Sequence, residues 1–116
     1  MKSVGYFLSF ILSFGLSSFV PAAAEQHFAL AVGIDHYSAS YGPGSLPSCI
    51  NDATGFKDAL LRDGARWNAD HIAFLTDSQA TKANIRATLQ DIARLAGPGD
   101  VCVYFQSSHG GQYSGT

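Results

Sequence analysis

His109 lies in the run Gln106-Ser107-Ser108-His109-Gly110-Gly111-Gln112, directly after the apolar stretch Val101-Cys102-Val103-Tyr104-Phe105. Imidazole is the side chain best suited to taking and returning a proton near neutral pH. Gly110 and Gly111 remove side chains beside the ring, so the backbone can turn sharply and approach a substrate. A lone histidine after a strand is more often a surface residue than a catalyst, but a strand feeding straight into Ser-His-Gly-Gly holds the ring on rigid scaffold. Cys49 and Cys102 are the two thiols of the chain. Cys102 falls inside the apolar stretch, where a thiol is expected to be buried and inert. Cys49 sits in a loop before a helix, and a disulfide between the two is not expected. His27, His36 and His71 lack the spacing of a metal site, and Asp35 beside His36 at a strand end is at most a weak one; no metal or cofactor is expected in this chain.

The elements that must position His109 follow from apolar periodicity. Phe28 to Ile34 is a continuous apolar run, too short for a helix and suited to a strand covered on both faces. Asp35 to Ser48 is rich in Ser, Tyr, Gly and Pro and reads as a loop. From Asn51 to Asp63, Ala53, Phe56, Leu60 and Leu61 share a helical face, with Asn51 or Asp52 as the expected cap and Gly64 as the end. His71 to Leu75 is a second short strand, closed by Thr76 and Asp77. A second helix is expected from about Thr81 to Ala96, with Ile85, Leu89, Ile92 and Ala96 on one face, Thr81 as cap and Gly97-Pro98-Gly99 as the stop. Val101 to Phe105 is the third strand. The order β-α-β-α-β predicts an α/β fold, a parallel sheet with right-handed crossovers and helices on both faces. In such sheets reactive groups gather beyond the carboxyl ends of the strands, so the loop around His109 and the segment from Asp35 to Asp52 should share one edge.

Composition bounds the function classes. The chain has 116 residues, a formal charge of −2 and 47% hydrophobic residues, which describes at most one globular domain and offers no basic footprint for nucleic acid. Residues 1–24 carry Lys2, an apolar stretch from Val4 to Val20, Pro21, and then Ala22-Ala23-Ala24, the pattern of an export signal cleaved before Glu25. A membrane anchor is the alternative; Ser9, Ser13, Ser17 and Ser18 dilute the stretch, and it is a little short for a span. The expectation is export to an oxidising compartment, periplasmic or secreted, with residues 25–116 as the remaining domain and no stable membrane anchor after cleavage.

The run FQSSHGGQ resembles the strand-plus-histidine motif of the caspase-like cysteine peptidases, the group of caspases, paracaspases and metacaspases. Their motif reads Ser-His-Gly in caspases and Ser-Gly-His-Gly in most metacaspases; Ser108 stands where the longer form has glycine. FALAVGIDHY resembles the first core strand of bacterial metacaspase-type domains. LPSCINDA, Leu46 to Ala53, is similar to their Leu-x-Gly-Cys-x-Asn-Asp-Ala signature with Ser48 in place of glycine. FLTDSQATKANI and GPGDVCVYFQSSHGG match the second and third strands, so the resemblance spans residues 25–116 in family order.

The resemblance implies roles position by position. His109 would be the acid–base partner of a catalytic cysteine. Gly110 would supply a backbone N–H to the oxyanion. Asp52, Ser107 and Cys49 would belong to the substrate-binding region, with the Asp52 carboxylate favouring Arg or Lys at the cleaved bond. On residues alone, Asp52 could equally cap its helix and Ser107 could merely bond nearby backbone. Cys49 lies in the pocket region of the family pattern and precedes the histidine, whereas the family nucleophile follows it by roughly 50 residues at the end of the next strand. The expectation is therefore the amino-terminal portion of a cysteine endopeptidase acting on peptide or protein substrates, lacking its nucleophile and inactive as it stands. Calcium is a candidate cofactor of the full-length protein, since many metacaspases use it. The alternative is a non-catalytic caspase-like module that binds peptides or a partner. A receiver-like signalling domain is set aside, because the third strand ends in Ser-Ser-His rather than a phospho-acceptor Asp.

Overall fold

A computed structural model of the chain describes residues 23–38 and 44–110. The expected export signal at 1–24 lies almost wholly outside them, as do Gly111 and Gln112. The described elements run β1 (His27–Gly33), α1 (Cys49–Arg62), a 3-10 turn (Ala69–His71), β2 (Ile72–Thr76), a second such turn (Asp77–Gln79), α2 (Lys82–Leu95) and β3 (Val101–Ser107). The strands form one parallel sheet in the order β2-β1-β3. The expected β-α-β-α-β fold is present, with strand and helix ends displaced by one or two residues.

β1 is central because its side chains can be buried on both faces. Phe28 is 4% exposed, and Ala29, Leu30, Ala31 and Val32 are wholly buried, as the unbroken apolar run requires. The chain steps from β1 to β2 on one side and then returns across β1 to β3. With right-handed crossovers, that reversal puts α1 and α2 on opposite faces. Neighbouring side chains of β3 show both: Phe105 stacks on Phe56 of α1, centroids 4.5 Å apart and planes 9° apart. Gln106, pointing the other way, lines a groove with Ile85 and Leu89 of α2.

Register settles where the site lies. Gly33 pairs with Thr76 on one side and Ser107 on the other. The three strands therefore end level, and the segments after them emerge along one edge. Gly33 also permits close packing there. A Cβ on it would lie 2.7 Å from the Cys49 carbonyl oxygen and 2.8 Å from the Ile50 Cα, so only glycine lets the start of α1 settle on the end of β1.

Two expectations are corrected. The first turn of α1 begins at Cys49, with Ser48 in the N-cap position; Asn51 and Asp52 lie inside the helix and cap nothing. Ser48 has φ +108° and makes no side-chain cap bond. The missing cap comes from outside the helix, where the Asp35 carboxylate accepts the Ile50 N–H at 2.9 Å. At the far end Asp63 holds the C-cap position and Gly64 follows it.

The second correction concerns Cys102, expected to be buried and found exposed. Cys102 and Tyr104 share the face of β3 turned toward α2, and Tyr104 is 47% exposed. α2 caps as expected, with the Thr81 hydroxyl accepting the Asn84 N–H at 3.1 Å. Its apolar stripe is only partly covered, however, with Leu89 40% exposed and no α2 residue buried. An apolar sequence makes a buried strand only where an element lies over it, and α2 leaves this part of β3 open.

Candidate active site

β3 ends at Ser107, and beyond it the main chain needs partners outside the sheet. The His109 N–H donates to the Tyr37 hydroxyl at 2.7 Å. The Nε2 of His109 lies 3.0 Å from the Gly44 carbonyl oxygen. A carbonyl can only accept, so Nε2 carries the proton and, in the neutral ring, Nδ1 is left with its lone pair. The ring is exposed, and the Tyr37 ring stands beside it with centroids 5.3 Å apart and planes tilted by 50°. The arrangement presents one basic nitrogen in a held orientation, which is what proton transfer from a thiol requires.

On the same edge the Ser107 hydroxyl donates to Asp52 Oδ2 at 2.8 Å. β3 and the first turn of α1, 55 residues apart in sequence, thus meet through this pair. Ser107 uses its carbonyl separately, accepting the Ile34 N–H at 3.1 Å. Its hydroxyl is turned away from its own backbone and orients a carboxylate. Asp52 is exposed, so it is available to a cationic partner from solvent.

Cys49 is 5% exposed and packs at the start of α1 against Gly33. It is three residues before Asp52 and shares its helical turn, with the thiol enclosed. Gly110 is exposed, and a Cβ there would meet nothing within 4 Å. Cys102 pairs in register with Phe28 near the amino end of the sheet. Seven residues of chain separate it from His109, roughly 20 Å at strand rise. Both cysteines are free, and five strand residues, about 17 Å, separate the end of β1 near Cys49 from the level of Cys102, beyond disulfide reach.

Sequence reasoning missed Tyr37, Gly44, Asp35 and Asp77. The Asp77 carboxylate accepts the Asp35 N–H at 2.8 Å and the His36 N–H at 3.0 Å, and meets His36 Nδ1 at 3.1 Å. It does so from φ +44°, in the left-handed region that aspartate tolerates better than most residues. The His36 backbone N–H, more than any other neighbour, holds the Asp77 carboxyl below its usual range. Asp35 and His36 thus serve as helix cap and carboxylate partner. His27 and His71 are likewise structural, His27 bonding the Arg66 carbonyl and Glu25, and His71 stacking on Phe28 at 4.6 Å. Asp77 had a visible signal, an acid directly after a strand; Tyr37 and Gly44 had none, because their partner is 65 or more residues away.

On the α2 side of β3 a further series runs toward His109. The Tyr104 hydroxyl donates to the Gln106 side-chain oxygen. The Gln106 amide donates to the Ser108 hydroxyl at 2.6 Å, which reaches the His109 carbonyl at 3.2 Å. Ser108 is not among the described residues with positive φ, so serine in the place of the family glycine carries no backbone strain. Among the described residues no three His, Cys, Asp or Glu side chains converge where they could hold a metal ion. No helix of the described residues is long and apolar enough to cross a membrane.

A three-strand parallel sheet with a helix on each face fits an incomplete caspase-like α/β fold. The sequence profile of the caspase domain matches residues 26–116. The chain belongs to the caspase-domain family of cysteine peptidases. It is 33% identical over 94 residues to metacaspase-1 of Mycosarcoma maydis, covering 76% of this chain and 22% of the relative. It is 35% identical over 95 residues to metacaspase-1 of Scheffersomyces stipitis, with the same coverages. Metacaspase-1 of Plasmodium falciparum is 32% identical over 95 residues, 76% of this chain and 15% of that protein. The chain thus spans about a fifth of the length of these relatives or less.

Proposed function

We propose that His109 is the acid–base half of a His/Cys dyad in a metacaspase-type endopeptidase, with the nucleophilic cysteine contributed from outside these 116 residues. The observation that carries this reading is the Nε2–H bond to the Gly44 carbonyl, which leaves Nδ1 as the nitrogen able to take a proton. In the reaction Nδ1 removes the thiol proton, and the thiolate sulfur attacks the peptide carbonyl. The imidazolium returns the proton to the departing amine as the C–N bond breaks, leaving an acyl-enzyme. Water, deprotonated by the same nitrogen, then releases the carboxylic acid and regenerates the thiol. The Gly110 N–H stabilises the oxyanion, for which its exposed, side-chain-free position is suitable. Asp52, aligned by Ser107, attracts an Arg or Lys side chain before the cleaved bond. Cys49 contributes packing beneath that turn.

Neither cysteine present serves as nucleophile in this reading, Cys49 because it is enclosed and Cys102 because it lies toward the opposite end of the sheet. The 116 residues alone are inactive. The substrates are peptides or proteins, and residues 1–24 direct the protein out of the cytoplasm. Full-length protein, assayed with and without added calcium, should hydrolyse Arg and Lys peptides, and His109→Ala should lower kcat/KM at least a thousandfold. Preference for Asp peptides would overturn the role given to Asp52, and unaltered hydrolysis in His109→Ala would overturn the dyad.

A further inference from the structure

His109 sits two residues past the end of β3, where no ladder bond holds its main chain. Two groups from the segment after β1 hold it instead: the Gly44 carbonyl takes the ring, and the Tyr37 hydroxyl takes the backbone N–H at 2.7 Å. The Tyr37 ring, 5.3 Å from the imidazole and tilted 50°, also restricts rotation of the histidine side chain. Tyr37 is only half-buried and lies in a loop, so something must hold it in turn. That holder is Asp77, at the end of β2. Its carboxylate takes the N–H groups of Asp35 and His36, the two residues before Tyr37, and pairs with the His36 ring. Lys82 lines a cavity of about 720 Å³ together with His36, Tyr37 and Asp77. Each of the three strand ends therefore contributes one member of a series, Asp77 to Tyr37 to His109.

We propose that Tyr37 is a positioning residue for His109, fixing its main chain through the hydroxyl and flanking the imidazole with its ring, and that Asp77 acts on His109 through Tyr37. The proposal rests on the acid–base reading of His109 for its effect on rate, but its structural content stands apart from it. Removing the hydroxyl leaves the His109 N–H to water and lets the imidazole sample other orientations. The cost falls on proton transfer, while the Asp52–Ser107 pair that binds substrate is untouched. Misplacement of a catalytic group by about 1 Å costs on the order of a hundredfold in rate.

The test uses the full-length protein as wild type, Tyr37→Phe, Asp77→Asn and the double variant. Amide hydrogen exchange at His109 and the ¹⁵N shifts of its ring are read beside kinetics on an Arg peptide. In Tyr37→Phe, exchange at the His109 amide should rise at least tenfold, and the ring ¹⁵N shifts should move as the freed main chain loosens the Nε2–H bond to Gly44. kcat should fall about ten- to a hundredfold with KM changed less than twofold. Asp77→Asn should show the same pattern more weakly, and the double variant should be no worse than Tyr37→Phe, because the two act in one series. Unchanged exchange and ring shifts in Tyr37→Phe, a loss confined to KM, or additive losses in the double variant would each overturn the proposal. A wild type without thiol-dependent hydrolysis would overturn the peptidase reading instead, and the exchange and ¹⁵N measurements would still decide the role of Tyr37.

Discussion

An imidazole just past a strand end turns freely unless its ring and its main chain are both engaged. At His109 the Gly44 carbonyl engages Nε2, the Tyr37 hydroxyl engages the N–H, and the nitrogen left over defines the chemistry on offer. Asp52, the substrate-binding carboxylate of the proposed function, follows the same logic. A carboxylate in solvent samples many orientations, and the Ser107 hydroxyl at 2.8 Å selects one. Replacing Ser107→Ala removes that selection without removing the charge. KM for Arg peptides should then rise roughly three- to tenfold, about the net worth of one ordinary hydrogen bond, with kcat changed little. Steady-state kinetics on the full-length protein would check this, and a fall in kcat alone would mean that Ser107 serves the chemistry rather than binding.

At the scale of elements, the start of α1 brings Asp52 to the sheet edge, and it does so under strain. Ser48 holds φ +108°, a conformation that costs a side-chain-bearing residue about 1–3 kcal/mol. Glycine adopts it freely but loses roughly 0.5–1 kcal/mol of chain entropy on folding. Strain relief is the larger effect, so Ser48→Gly should stabilise the full-length protein by about 1 kcal/mol in chemical denaturation. The substitution removes no bond, since Ser48 makes no side-chain cap and Asp35 already satisfies the Ile50 N–H. Destabilisation would show that the serine side chain is engaged elsewhere.

At the scale of the whole molecule, two aspartates tie the sheet at its two ends. Asp77 joins the segments after β2 and β1 at the carboxyl edge. At the amino edge Asp100 accepts the N–H groups of Gln26 and Gly97, each at 2.8 Å. Backbone N–H donors lower both carboxyls, His36 foremost at Asp77 and Gly97 foremost at Asp100. A carboxyl lowered on folding stabilises the fold fully above its unfolded value, near 3.9, and loses that contribution as pH falls through the lower folded value. Stability should therefore hold constant down to about pH 4 and decline below it, with His109 loosening as Asp77 is protonated. In Asp77→Asn the decline should be shallower but still present, because Asp100 remains. Denaturation midpoints between pH 2 and 6 would measure this, and identical acid profiles for the two proteins would exclude Asp77 as a contributor.

Apolar runs and helical spacing by themselves determined the five main elements, the parallel order and the shared edge, because each depends on which side chains must leave water and on how far a short connection reaches. The run FALAVGI is a central strand wherever it is covered, and Ser-His-Gly-Gly follows a strand whatever surrounds it. His109, Asp52 and Ser107 were legible as candidates, yet their geometry was not. That Asp52 lies within the helix and takes the Ser107 hydroxyl, that Asp35 caps α1, and that Tyr37 and Gly44 hold His109 are contacts between residues 15 to 72 positions apart. Only the level register of Gly33, Thr76 and Ser107 brings such residues within hydrogen-bond reach. The exposure of Cys102 has the same origin, since hydrophobicity says that a side chain gains by burial, while the placement of α2 decides whether anything covers it.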